Sequence, residues 1–337
     1  MADQWVTTGS YPNFSGMLFN KGNTKTPFSS LIGGKAYSTN HMKFPVGQFY
    51  TTANGTQPAI SEKASLTAPD ATGTEREQEY NTTQIFQKSF GVSYLKQSDM
   101  GTLSGINVAN QTANPIDEVA FQATVKMQEI MQDLEYTFIN GTYAEATSET
   151  VAAKTRGIIP AITTNVLEAD GAELGYWLLL EAAKSVADSN GDSYNLVALL
   201  SGNQILQVQK DAQENNCKII TAGENINGIA ITRIRTYYGD IRIASGKYIP
   251  DGTALLFNPT VCAPVYQPVP EKGNFFIEKL PQAGAGDKYQ VYGQAGLDYG
   301  PEYYHAKITG LATTFTKPEN GVLVRNAASG GEADGQG

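Results

Sequence analysis

The sequence predicts an α+β fold, and three features carry that expectation. One long amphipathic helix interrupts sequence that is otherwise strand-like; the strands before it flank a long polar connection; and after it helices and strands alternate before the chain returns to strands alone. With 337 residues, 41% of them hydrophobic and 17% charged, the chain can bury a substantial core. A length prior of about 150 residues per domain suggests two lobes or one elaborate domain.

Residues 1–35 are rich in Gly, Asn, Ser, Thr and Phe, show no helical stripe, and read as an irregular arm whose removal should leave a folded, soluble core. Strand-like sequence follows at 36–49 and again at 79–92, where Tyr80, Phe86, Phe90 and Val92 share one parity. The polar connection between them, 53–73, exceeds the roughly 12–15 residues usual for a structureless loop. Residues 114–141 form the clearest element. Asn114 suits the N-cap, Pro115 the first helical position, Asp117 the positive helix end, and Gly141 the stop. Ile116, Val119, Ala120, Ala123, Met127, Ile130, Met131, Leu134 and Phe138 trace one apolar stripe along a rod of about 39 Å.

Beyond it the pattern predicts a helix near 172–187, a strand at 196–200 and a helix near 203–214. Strands at 229–234, 240–244 and 253–257 are separated by the turn signals Tyr238-Gly239 and Pro250-Asp251-Gly252. Tyrosine-rich strands at 275–280, 288–292 and 303–311 close the fold, and 327–337 reads as a flexible tail.

Net charge is −9, which argues against a dedicated nucleic-acid reader, since such a domain needs a basic patch to displace counterions. The charge is uneven: residues 1–63 hold five lysines against Asp3 and Glu62. No apolar run approaches the roughly 18 residues of a membrane span, and the start Met1-Ala2-Asp3-Gln4-Trp5 does not read as a secretory signal, so a soluble protein made in the cytoplasm is expected. On that route the sequons at Asn13, Asn54, Asn81, Asn110 and Asn140 carry no glycan. Cys217 and Cys262 read as reduced small hydrophobes, with a disulfide between them left open.

A search for chemistry returns little. His41 and His305 are the only histidines, and neither sits in a nucleophile or metal context. Gly191-Asp192-Ser193 has the start of a hydrolase motif without its Asp-x-x-His partner, and turn chemistry explains it better. Asp188, Asn190 and Asp192 match the opening of a calcium loop, but Ser193 replaces its glycine and Leu199 its closing glutamate. Glu302 and His305 have a metal-like spacing, yet in a strand they would face opposite ways. Ser201-Gly202-Asn203 opens a helix without a phosphate-loop signature. No catalytic, metal or cofactor-binding residue is therefore assigned, and the 18 tyrosines suit strand cores and subunit interfaces.

The run from Asn81 to Ser93 (NTTQIFQKSFGVS), the helix from Asn114, Thr26-Pro27-Phe28 and Ile32-Gly33 upstream, and Tyr238-Gly239-Asp240 with Tyr248-Ile249-Pro250-Asp251 downstream resemble the major capsid proteins of tailed bacteriophages with the Hong Kong 97-type fold. The resemblance implies an N-terminal arm (1–35), an extended β-hairpin loop (36–92), a peripheral domain (93–154) with a spine helix (115–140), a mixed α/β axial domain (155–264), return strands of the peripheral domain (265–325) and a tail (326–337). It implies a non-enzymatic shell protein, located in the virion after assembly in host cytoplasm. Hexamers and pentamers of it would close an icosahedral capsid around double-stranded DNA without sequence-specific binding. Portal and decoration proteins are further expected partners, and with no long scaffold-like N-terminal region the resemblance implies a separate scaffolding protein or scaffold-free assembly. Tyr94 and Leu95 depart from the small residues that relatives often carry there, and no motif supports an inter-subunit isopeptide crosslink. Tyrosine-rich strands with many Asn and Thr would also suit another repetitive virion or surface protein, or a glycan-binding adhesin.

Overall fold

The computed structural model describes residues 25–52, 55–98, 118–214, 219–226, 229–282 and 284–315. The first part runs through α1 (Pro27–Ile32), β1 (Tyr37–Ser38), β2 (Lys43–Phe49), the single turn α2 (Glu62–Ser65), β3 (Glu77–Thr82), β4 (Gln84–Ser93) and α3 (Tyr94–Ser98) to the long helix α4 (Glu118–Asn140). The middle part holds α5 (Ile158–Ala161), β5 (Val166–Glu168), α6 (Tyr176–Asp188), β6 (Val197–Leu200), α7 (Gly202–Glu214), β7 (Ile219–Ile226), β8 (Ile229–Thr236), β9 (Gly239–Ser245) and β10 (Ala254–Phe257). The return comprises β11 (Ala263–Tyr266), β12 (Phe275–Lys279), β13 (Gly286–Asp298), a 3₁₀ turn (Glu302–Tyr304) and β14 (Ala306–Thr309).

Helix α4 spans about 35 Å over its 23 described residues. Its buried line is Ile130, Leu134 and Phe138, with Val119, Ala123 and Met127 half-buried on the same core. Ala120 and Met131, expected on the stripe, are exposed, because they lie at its edge and the sheet covers only a narrower face. The expected helix start at Asn114, Pro115, Ile116 and Asp117 lies outside the described residues. The stop at Gly141 is as expected, its N–H donating to the Thr137 carbonyl at 2.8 Å.

Backbone meets backbone at that end. The Gly157 N–H donates to the Gly141 carbonyl at 2.8 Å. A Cβ on Gly157 would lie 2.6 Å from the Gly141 nitrogen and 2.8 Å from the Ile139 and Thr137 carbonyl oxygens. Gly157→Ala should therefore lower protomer stability by about 2–3 kcal/mol, since none of these atoms is the end of a flexible side chain. Gly34→Ala, where a Cβ meets nothing within 4 Å, should leave the urea midpoint unchanged.

Two larger sheets carry two hydrophobic cores. In the first sheet β13 is the spine: β4 runs antiparallel along one side, from Gln84 opposite Ala295 to Ser93 opposite Gly286, and β12 and β11 share the other side, with β1 parallel to β11. Helix α4 packs against this sheet. The second sheet has the order β5-β14-β10-β6-β9-β8-β7. Its central strands are buried on both faces: Val197, Leu199, Leu255 and Phe257 point into the core under α4, while Ala198, Leu200, Ala254 and Leu256 point into a second core with Leu179, Ala183 and Val186 of α6. Two-sided burial explains why these strands read as unbroken apolar runs instead of alternating.

Four expectations need correction. Residues 27–32 are not irregular arm but helix α1, with Phe28 and Ile32 fully buried, so removing residues through 35 would cut into the core. Residues 84–92, grouped by expectation with the extended loop, pair along the spine strand β13 instead. Thr83 interrupts the strand between β3 and β4, which leaves Tyr80 exposed although it shares parity with buried Phe86, Phe90 and Val92. The strand expected at 303–311 begins only at Ala306, because Glu302–Tyr304 is a 3₁₀ turn. The polar connection also carries one helical turn, α2, capped by the Ser61 hydroxyl accepting from the Ala64 N–H.

Candidate assembly surface

Strands β2 and β3 form a two-stranded sheet of their own, paired from Lys43 opposite Thr82 to Phe49 opposite Glu77, with a register shift at Gly47. Every described residue from 50 to 78 is exposed, through the connection and into the start of β3. Ile60 and Leu66, which bracket α2, are 71% and 84% exposed. A one-turn helix is unstable alone, and among the described residues neither hydrophobic core includes its apolar neighbours.

The root of this hairpin is held by an interlocked set of polar groups. Fully buried Asn81 donates from Nδ2 to the Leu297 carbonyl at 2.7 Å and to the Arg156 carbonyl at 3.0 Å, while its Oδ1 accepts from the Arg156 N–H at 2.8 Å and the Thr82 N–H at 2.9 Å. Around it the Tyr299 hydroxyl donates to Glu79 Oε2 at 3.0 Å and accepts from Arg156 Nη1 at 3.3 Å. The Arg156 guanidinium lies over the Tyr143 ring at 4.9 Å, and the Tyr143 hydroxyl donates to Glu145 Oε1, which also accepts from Lys43 Nζ at 2.5 Å. Burial, then the Glu79 carboxylate, holds the Tyr299 phenol above its ordinary range, so it stays a donor.

Helix α1 is clamped by a buried carboxylate of α4. Glu135 Oε1 accepts from the Phe28 N–H at 2.7 Å, and its Oε2 accepts from the Ser29 N–H at 2.8 Å and the Ser29 hydroxyl at 2.6 Å. Thr26 makes no side-chain cap, so Glu135 supplies the acceptors that the first turn of α1 requires. Burial pushes the Glu135 carboxyl upward even though all three donors pull it down. Away from the hairpin, Trp177 on α6, Tyr194, and Tyr237 in the turn between β8 and β9 are exposed.

The residues weighed for chemistry have structural partners. Asp192 accepts from the Tyr194 N–H at 3.0 Å and from Asn258 Nδ2 at 3.2 Å, and Asn190 takes a positive φ of 62°, so the Asp188–Asp192 segment is a turn tied to the end of β10. Glu302 accepts from the Thr163 and Thr164 N–H groups and the Thr164 hydroxyl, anchoring the 3₁₀ turn. Ser201 and Gln204 make a reciprocal capping box at the start of α7. Cys262 is buried and free, its thiol pushed up by burial and by Asp298; Cys217 lies outside the described residues. The His41 backbone N–H donates to the Thr39 hydroxyl in a turn. Among the described residues no group of three or more His, Cys, Asp or Glu could hold a metal ion, and no helix is long and apolar enough to cross a membrane.

His305 is also strongly perturbed. Its Nδ1 accepts from the Asn258 N–H at 3.2 Å, which places the proton on Nε2, facing the Tyr299 carbonyl at 2.7 Å. Burial lowers the imidazole to about 4, against the opposing pull of the Tyr299 carbonyl and Glu302. A depressed histidine leaves stability intact above its ordinary value of about 6.5 and removes it as pH falls toward the folded value. Unassembled protomers should thus lose about 2 kcal/mol in urea unfolding between pH 7 and pH 5 from this group, a loss absent from His305→Gln.

Solved structures similar to the chain define the class. The capsid asymmetric unit of cyanophage A-1(L) covers 90% of this chain and 97% of its own at 10% identity, with a TM-score of 0.61. The SrpI encapsulin complex of Synechococcus elongatus PCC 7942 covers 90% and 96% at 11% identity, with a TM-score of 0.59. Mycobacterium phage Patience covers 88% of each chain at 13% identity, with a TM-score of 0.56. No curated protein sequence matches the chain. At these identities the likeness establishes the fold, which is that of the Hong Kong 97-type shell proteins. A family model described as SU10 major capsid protein matches residues 2–312, and the chain belongs to that family. It is a phage major capsid protein, a structural component of the virion whose copies associate to build the shell.

Proposed function

We propose that copies of this chain form hexamers and pentamers that close an icosahedral shell around double-stranded DNA, and that the exposed segment of the β2–β3 hairpin is the part that reaches neighbouring copies. The observation that carries the second point is the exposure of every described residue from 50 to 78, around an apolar-flanked turn. Such a segment gains its ordering contacts only from a partner. In this reading the lobe of β13, β4 and α4 is the peripheral domain, the lobe of the seven-stranded sheet is the axial domain, and α1 is the anchored end of the arm.

The chain acts without catalysis. Its net charge of −9 favours a container that encloses DNA without gripping it, because strong phosphate contacts would impede packaging and release. Scaffolding, portal and decoration proteins complete the partners, and assembly takes place in host cytoplasm. Replacing residues 55–73 with a short Gly-Ser linker tests the role of the hairpin. The variant should remain folded and sediment as protomers or free rings; shells like those of the parent would overturn the reading.

A further inference from the structure

We infer that the polar chain Lys43–Glu145–Tyr143–Arg156–Tyr299–Glu79 is a positioning joint that sets the direction in which the β2–β3 hairpin leaves the body, and so where its exposed segment lands on a neighbouring copy. The second clause rests on the shell reading above.

Apolar packing holds the root in place but does not aim it. Phe44 and Val46 of β2 are buried in the core under α4, and such burial is non-directional. A two-stranded hairpin has little rigidity of its own, so its direction depends on groups that fix an angle. Hydrogen bonds of defined geometry do so, and here they grip both strands. Lys43 lies on β2 opposite Thr82, and Glu79 lies on β3 opposite Val46. The two attachments are therefore separated along the ladder and oppose rotation about either one.

Arg156 is the pivot. Its backbone is locked by Asn81, its guanidinium donates to Tyr299, and the same plane covers the Tyr143 ring. One residue thus couples the connection that carries Glu145 to Tyr299, which directly follows β13. Lys43 and Glu145 are both about half exposed, so the outer end of the joint is open to solvent while Tyr299 is fully buried at the inner end. The rings of Tyr143 and Tyr299 support packing independently of their hydroxyls, which allows the joint to be cut without removing its bulk.

The double variant Tyr143→Phe/Tyr299→Phe in the full chain tests this by two readouts. Hydrogen exchange of unassembled protomers should be about tenfold faster across 43–49 and 77–82, with β4 and β13 unchanged, and electron microscopy should show shells of mixed diameter, tubes or open sheets built from protomers that still fold. Ladder exchange within twofold of the parent would overturn the joint. Faster ladder exchange with uniform shells of parental diameter would overturn its role in aiming the hairpin. If β4 and β13 also exchange faster, Glu145→Gln at the exposed end decides by the same ladder readout. A parent chain that forms no shells would defeat the shell reading, while ladder exchange would still decide the joint.

Discussion

Replacing Asn81 with alanine is expected to cost the protomer about 4 kcal/mol, read as a fall in the urea midpoint with an unchanged slope. The amide is fully buried and makes four hydrogen bonds, two as donor and two as acceptor. Truncation orphans the Leu297 carbonyl in the interior and both backbone groups of Arg156 in a partly buried place. Each buried group left unpaired costs about 1–3 kcal/mol, so the sum is large even if one of them recovers a water. Asn140 offers the contrast: from a half-buried position its Nδ2 donates to the Tyr248 carbonyl, and its replacement should cost about 1 kcal/mol. Equal losses at the two sites would show that Asn81 is not the knot described here.

Phe28→Ala should be of similar size, about 3–5 kcal/mol, with the added consequence that α1 detaches from α4. Phe28 is fully buried, tilted against Phe257 of β10 with ring centroids 4.8 Å apart, while its N–H is held by Glu135 of α4. One short helix therefore ties the long helix to β10, an interior strand of the second sheet. Losing the ring leaves a cavity there, and the three hydrogen bonds to Glu135 cannot hold six residues alone. Exchange of the α1 amides on the global unfolding time scale in the parent, and much faster in the variant, is the expected signature. Parental protection in Phe28→Ala would mean that the carboxylate alone suffices.

The contrast between α1 and α4 shows what could be read from residues alone. Helix α4 announces itself through repeated apolar positions and a terminal glycine, both local signals. Helix α1 is only six residues long, has just Phe28 and Ile32 for a stripe, and takes its N-terminal acceptors from a residue 107 positions away. No window of sequence contains that cap. The long strand β13 was likewise legible only at 288–292, because Gly293 and Gly296 weaken the strand signal beyond it. In the fold those glycines are needed: a Cβ would meet the Phe275 ring at 2.1 Å and the Phe44 ring at 2.7 Å. The motif around Asn81 was visible as a resemblance, but its physical role was not, since its partners Arg156 and Leu297 are 75 and 216 residues distant. Tyr80 and the strand expected at 303–311 misled for a different reason: parity assumes an unbroken strand, and Thr83 and the 3₁₀ turn break it.

The most direct test of the account is electron microscopy of the purified full chain at high protein concentration. Closed icosahedral shells, or the six- and five-fold rings that build them, are the predicted result. A chain that stays strictly monomeric under those conditions would contradict the account.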